Sequence, residues 1–158
     1  MRLSLLNAHS VCNKGAVIHD LIEENELDML ALTETWINDN NEQRTIASLL
    51  PHGYSIITAN REKRVGGGVA FIHRTSLKCK HLKQRKASSF ECLQVMVTIR
   101  NRTFQLCIIY RPPVTGSNGI TMAQFQSEFA DFFTQLMCTA GSVVVMGDFN
   151  VHCDEPSQ

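Results

Sequence analysis

Three apolar runs in this sequence stop on residues that can bind a metal ion. Residues 2–6 end at Asn7, residues 28–33 at Glu34, and residues 142–147 at Asp148-Phe149-Asn150. A carboxylate at the end of a wholly apolar strand must be solvated, hydrogen-bonded or metal-bound, because leaving it bare costs several kcal/mol. Glu34 and Asp148 supply hard carboxylate oxygens, and Asn7 and Asn150 supply amide oxygens, a set suited to Mg²⁺. Asp148 and Asn150 stand two apart. In an extended segment both side chains face the same way while Phe149 turns back toward the core. Water oriented on Asp148, attacking a phosphate polarised by the metal, would give phosphodiester hydrolysis. Taken singly, each of these residues also suits a strand-end turn or a helix cap.

The elements that must position these groups alternate along the chain. Residues 2–7 form a short β-type run, and residues 14–26 follow with Ala16, Val17, Leu21, Ile22 and Leu27 on one helical face. Residues 28–33 predict a buried strand. Residues 54–60 and 69–73 predict two more, the second introduced by a turn or bulge at Arg64-Val65-Gly66-Gly67-Gly68. Residues 92–100 and 103–110 alternate apolar and polar positions around Asn101-Arg102, a hairpin pattern. Pro112-Pro113 and Gly116-Ser117-Asn118-Gly119 then mark a loop. A helix over 121–138 carries Met122, Phe125, Phe129, Phe132, Phe133 and Leu136 on one side, the spacing of core packing. The β-branched run 142–147 predicts a strand buried on both faces. This alternation predicts an α/β layered domain. If the three polar-ended strands point the same way, their ends meet at one rim of the sheet, where open α/β sheets place ligands.

Composition sets the bounds. The chain has 158 residues, 44% hydrophobic and 19% charged, with 15 basic and 15 acidic side chains. That describes one soluble globular domain with a core large enough to need no disulfide or structural metal, and it excludes disorder, collagen and coiled coil. The uncharged stretch 132–147 contains Thr134, Gln135, Thr139 and Gly141 and reads as a helix end and a strand, not a bilayer span. The apolar run at residues 3–6 is too short for a signal peptide, so the expected location is intracellular. None of the six cysteines forms a C-x-x-C pair, which favours buried thiols over zinc. Charge is uneven: residues 1–60 carry 3 basic and 8 acidic side chains, residues 61–86 carry 9 and 1, and residues 87–158 carry 3 and 6. On charge alone the basic strip reads first as a solvated loop, and it also suits a polyanion.

Leu6-Asn7, Leu32-Thr33-Glu34-Thr35-Trp36, Tyr110-Arg111-Pro112-Pro113 and Gly147-Asp148-Phe149-Asn150, in this order, resemble the endonuclease/exonuclease/phosphatase superfamily. They look most like the apurinic-endonuclease-type domain at the start of non-LTR retrotransposon polyproteins. Gly66-Gly67-Gly68-Val69-Ala70-Phe71-Ile72 and Asn150-Val151-His152 favour that branch. The resemblance covers nearly the whole chain. It implies a four-layer α/β sandwich and a DNA endonuclease that hydrolyses a phosphodiester with one or two Mg²⁺ or Mn²⁺ ions. Glu34 would hold the metal with Asn7 beside it, and Asp148 would orient the attacking water. Asn150 would help hold the phosphate, and Tyr110 would reach its oxygens or the leaving group. Arg111, Lys78 and Lys80 are candidates for contacts with substrate phosphate or DNA. His152 would touch the phosphate or cap the following turn. An enzyme acting on genomic DNA would work in the nucleus.

One departure from the family pattern matters. A full domain of this type continues to further strands and a terminal Ser-Asp-His, whereas this chain stops at Gln158. His9, His19, His52, His73 and His81 fall on loops, a helix face or strand ends, positions that suit solvated or structural roles. The expectation is the N-terminal portion of the domain, with apolar surface near 143–146 uncovered and little or no catalysis. A different reading is a non-catalytic nucleic-acid or protein-binding remnant using Arg61, Lys63, Arg64, Arg74, Lys78, Lys80, Lys83, Arg85 and Lys86, with steep salt dependence. An inositol phosphate or sphingolipid substrate fits the superfamily but not the retrotransposon-like motifs. No Gly-x-Ser-x-Gly elbow or Gly-Lys-Ser/Thr loop supports nucleophilic or P-loop chemistry.

Overall fold

Each residue of the strand Met29–Thr33 is buried, which is why its sequence is apolar without alternation. Met29 and Ala31 face one layer of side chains, and Leu30 and Leu32 face another. A strand covered on both sides lies inside a layered fold. The computed structural model describes residues 1–61, 66–83, 87–113, 119–139 and 141–151. In chain order its elements are β1 (Leu3–Asn7), α1 (Gly15–Glu24), β2 (Met29–Thr33), α2 (Glu42–Leu49), β3 (Tyr54–Ala59), β4 (Val69–Arg74), β5 (Lys78–Leu82), β6 (Glu91–Ile99), β7 (Arg102–Tyr110), α3 (Met122–Met137) and β8 (Ser142–Asp148).

The strands form two sheets, ordered β1-β2-β4-β3 and β5-β6-β7-β8. The pairs β1–β2 and β7–β8 are parallel, and the other pairs are antiparallel. Met29, Ala31 and Phe71 of the first sheet pack against Leu93, Val95, Val97, Leu106 and Ile108 of the second. Alternate residues of the first sheet, Leu30, Leu32, Ala70 and Ile72, pack against Ile18 and Ile22 of α1 and Leu49 of α2. Phe125 of α3 packs with Phe90 and Ile109 on the outer side of the second sheet. The result is the expected four-layer α/β sandwich.

Several details differ from the sequence expectation. The helix α2 went unpredicted because only Ile46 and Leu49 of its eight residues are strongly apolar, too few to show a stripe. The strand β5 went unpredicted because its lysines read as loop. Lys78 and Lys80 are exposed on an edge strand, where charge discourages pairing with another sheet. The hairpin turn falls one residue earlier than expected: Ile99 pairs with Arg102, and Arg100 takes the left-handed conformation (φ 53°). The strand β8 is not buried on both faces. It is an edge strand, and Val144 is 38% exposed. The phenylalanine stripe of α3 is core at Phe125 and partly so at Phe129 and Phe132, while Phe133 is exposed. Among the described residues, no helix is long and apolar enough to cross a membrane.

Glu128 fastens α3 to the segment before β6. Its carboxylate accepts from both backbone N–H groups and both hydroxyls of Ser88 and Ser89. Burial alone would push its pKa up, but these donors hold it at about 2, against an ordinary 4.5. A depressed carboxylate pKa contributes stability that is complete above the unfolded value and fades as pH falls through the folded one. Glu128→Gln is therefore expected to lower Tm at pH 7, with the difference from the parent closing as the pH falls from 4.5 toward about 2. A thermal melt series across that range checks this.

Candidate active site

The parallel register of β1 and β2 sets Asn7 beside Thr33. Beyond the strands the pairing continues, with Ala8 N–H donating to Thr33 O (2.9 Å), Ser10 N–H to Glu34 O (2.8 Å) and Val11 N–H to Thr35 O (3.0 Å). On the other side, Thr35 and Trp36 N–H donate to Gly68 O and Gly67 O, at 3.2 and 2.8 Å. Held from both flanks, Glu34 takes a left-handed conformation (φ 53°) that residues with a Cβ seldom adopt. Gly68 also sits in the left-handed region (φ 85°), and a Cβ there would stand 2.6 Å from Thr35 Oγ1. The glycine run thus lets β4 approach the Glu34 turn closely.

In the second sheet, Tyr110 of β7 pairs with Asp148 of β8, and Arg111 N–H donates to Asp148 O (2.9 Å). The ends of β1, β2, β7 and β8 meet at one edge of the sandwich. Asn7 Nδ2 lies 3.0 Å from Glu34 Oε1 and 2.6 Å from Asp148 Oδ2. Of the four residues expected to converge, Asn7, Glu34 and Asp148 do so, while the Asn150 amide donates to Arg111 O. The three meet between two sheets, however, and not along the rim of one, because β8 belongs to the second sheet.

The electrostatics favour a cation. Neither Glu34 nor Asp148 pairs with a lysine or arginine among the described residues. Burial pushes the Glu34 pKa up, but hydrogen bonds from Asn7, His9 and Tyr110 outweigh it and hold the carboxyl below its ordinary value. Tyr110 is buried, its pKa driven up by burial and by the Glu34 charge, so its hydroxyl stays protonated and donates to Glu34. Two carboxyl groups facing one amide, neither paired with a lysine or arginine among the described residues, form a site that suits a divalent ion.

The sequence profile of the endonuclease/exonuclease/phosphatase family matches residues 5–157. The chain belongs to the endonuclease/exonuclease/phosphatase family. No curated protein matches its sequence. Among solved structures, the catalytic domain of human Nocturnin with bound sulfate is similar at TM-score 0.65 and 15% identity, over 95% of this chain and 64% of that one. Truncated Caenorhabditis elegans TDP2 is similar at TM-score 0.65 and 18% identity, over 99% and 64%. D. rerio TDP2 complexed with single strand DNA product is similar at TM-score 0.66 and 12% identity, over 95% and 60%. At these identities the likeness is one of fold. The chain spans 60–64% of the length of those three structures.

Members of this family generally depend on a divalent metal. Here Glu34, with Asn7 beside it, would hold it and Asp148 stands next to them, and no cluster of three or more His, Cys, Asp or Glu suited to an ion occurs among the described residues. Other family-derived expectations need correction. Asn150 is not extended: it has φ 47°, its N–H donates to Asp148 Oδ1 (3.0 Å) and its Nδ2 to Arg111 O (2.7 Å). Its amide keeps a second hydrogen for a phosphate. Phe149 does turn inward, edge-on to Phe129. Arg111 is 1% exposed and bonds to Phe149 O and Asn150 O, so it does not face a duplex. Lys78 and Lys80 are exposed on β5, away from the edge where Glu34 and Asp148 meet. Lys78 pairs with Thr98, seven residues along β6 from the rung of Glu91 and Tyr110, roughly 23 Å at about 3.3 Å per residue. His152 lies outside the described residues, as do Lys63, Arg64, Arg85 and Lys86 of the basic strip. Two other members of that strip are already paired, Arg61 with Glu91 and Arg74 with Asp28 (2.9 Å).

Three residues at the edge escaped the sequence reading. His9 is not a bland loop residue: its Nδ1 lies 3.1 Å from Glu34 Oε2, its ring 5.5 Å from Trp36, and Lys14 Nζ anchors its loop through Ala8 O and His9 O. Glu91 and Arg61 form a largely buried ion pair. Glu91 also accepts from Gly68 N–H, and the Arg61 guanidinium lies 5.7 Å from the Tyr110 ring centroid. Burial pushes the Glu91 pKa up against the pull of Arg61. The signal available was position: Glu91 opens the strand that pairs with Tyr110. A cavity of about 620 Å³ under α3, lined by Cys92, Gln105, Glu128 and Phe132, lies on the outer face of the second sheet.

Proposed function

We propose that this chain carries the catalytic core of a metal-dependent DNA endonuclease of the non-LTR retrotransposon type. The observation that supports it is Asn7 Nδ2 within 3.0 Å of both Glu34 and Asp148, with Asn7 and Asp148, 141 positions apart, brought together by the packing of two sheets. Glu34 and Asn7 would hold Mg²⁺ or Mn²⁺, which when bound polarises the scissile phosphate. Asp148 accepts a proton from the attacking water. The second hydrogen of the Asn150 amide, and the Tyr110 hydroxyl on turning from Glu34, would donate to oxygens where charge develops. The retrotransposon-like motifs favour DNA as substrate, and genomic DNA places the work in the nucleus. Turnover by this chain is expected to be slow, because the one described histidine at the rim, His9, is tied to Glu34.

The test is incubation of supercoiled plasmid with the protein in excess, with Mg²⁺ and with chelator. Metal-dependent conversion to nicked circle supports the reading, and chelator abolishes it. Plasmid retained by the protein without nicking would favour the non-catalytic remnant, for which the exposed Lys78, Lys80 and Lys83 supply phosphate contacts.

A further inference from the structure

Arg111 follows Tyr110 directly and is almost wholly buried. A guanidinium carries five N–H donors and remains charged, so burying it away from a carboxylate is costly. No carboxylate pairs with it among the described residues. Its Nη1 donates to Phe149 O at 3.1 Å and Asn150 O at 2.9 Å, while Nε and Nη2 have no partner. Its Cζ lies 4.8 Å from the Phe125 ring centroid. The main chain closes the same loop: Arg111 N–H donates to Asp148 O, and Asn150 Nδ2 donates to Arg111 O. Four hydrogen bonds therefore join one residue to the turn 148–150, and Asn150 N–H in turn fixes the Asp148 carboxylate.

A position serving only stability would be filled as well or better by an apolar side chain, since replacing buried charge with well-packed hydrocarbon is often neutral or stabilising. We propose that Arg111 is a positioning residue for phosphodiester hydrolysis. Its Nη1 pins two successive carbonyls, keeps Asn150 in its left-handed conformation and so aims Asp148 at Asn7. A lysine has no planar group to lie over the Phe125 ring and hold that nitrogen in place. This inference rests on the phosphodiesterase reading above.

The test compares Arg111→Met and Arg111→Lys with the parent by amide hydrogen exchange and by single-turnover plasmid cleavage. In both variants protection of the Arg111 and Asn150 N–H groups is expected to fall at least about tenfold, with Leu30 and Ile72 in the first sheet unchanged. The cleavage rate is expected to fall about 100-fold while the protein concentration giving half-maximal rate changes little, as for a displaced catalytic group. Unchanged protection at Asn150, or full cleavage by the lysine variant, would overturn the proposal. Should the methionine variant not fold, the lysine variant decides alone. A parent protein that does not cleave would sink the phosphodiesterase reading and the hydrolytic role with it, while exchange still reports whether Arg111 holds the turn.

Discussion

Asp148→Asn is expected to reduce plasmid nicking by about a thousandfold, with the melting temperature little changed. The substitution keeps the shape of the side chain, and its remaining oxygen can still accept the Asn150 N–H that Asp148 Oδ1 now accepts at 3.0 Å. What disappears is the negative charge, the basicity and the acceptor for Asn7 Nδ2, which Asp148 Oδ2 now provides at 2.6 Å. A positioned general base contributes on the order of 10²- to 10⁴-fold, and an interaction made chiefly in the transition state about 3 kcal/mol or more. Single-turnover nicking beside a thermal melt separates the two effects. A variant within about tenfold of the parent rate would show that proton transfer occurs elsewhere.

Gly147→Ala is expected to harm both fold and site. A Cβ at this position would fall 2.7 and 2.8 Å from the backbone C and N of Ile109, and closer still to its carbonyl oxygen. The strand β7 cannot retreat, since Leu106 and Ile108 are packed between the sheets and Ile109 lies against α3. β8 must move instead. Overpacking of this kind costs about 1–3 kcal/mol, roughly 3–10 °C in Tm for a chain of this size. Asp148 is the next residue, and a shift of about 1 Å in a reacting group costs on the order of 100-fold in rate. Nicking at a temperature well below both melting points isolates the second effect, and a variant matching the parent in Tm and rate would contradict the geometry.

Glu34 and Asp148 were legible because each ends an apolar strand, and apolar continuity reports burial on both faces, as Met29–Thr33 shows. The same rule misled at β8, whose valines read as buried although the strand lies at a sheet edge. Composition reports what a strand can cover, not whether a neighbour is there. The lysines of β5 hid a strand for the converse reason, since edge protection uses the residues of loops. The family resemblance makes Arg111 a candidate for phosphate or DNA, yet its partners are carbonyls 38 and 39 residues away. His9 and the Arg61–Glu91 pair were invisible for the same reason: each acquires its meaning only from the strand register that brings it to Glu34 or Tyr110.

The central claim is that Glu34 and Asn7 hold one divalent cation beside Asp148. Titration of Mn²⁺ into the protein, with free ion read by electron paramagnetic resonance, tests it without any substrate. One Mn²⁺ is expected to bind per chain in competition with Mg²⁺, and Glu34→Gln is expected to weaken binding by at least about tenfold while leaving the fold intact. A Glu34→Gln protein that takes up Mn²⁺ as tightly as the parent, or a folded parent that takes up none, would contradict it.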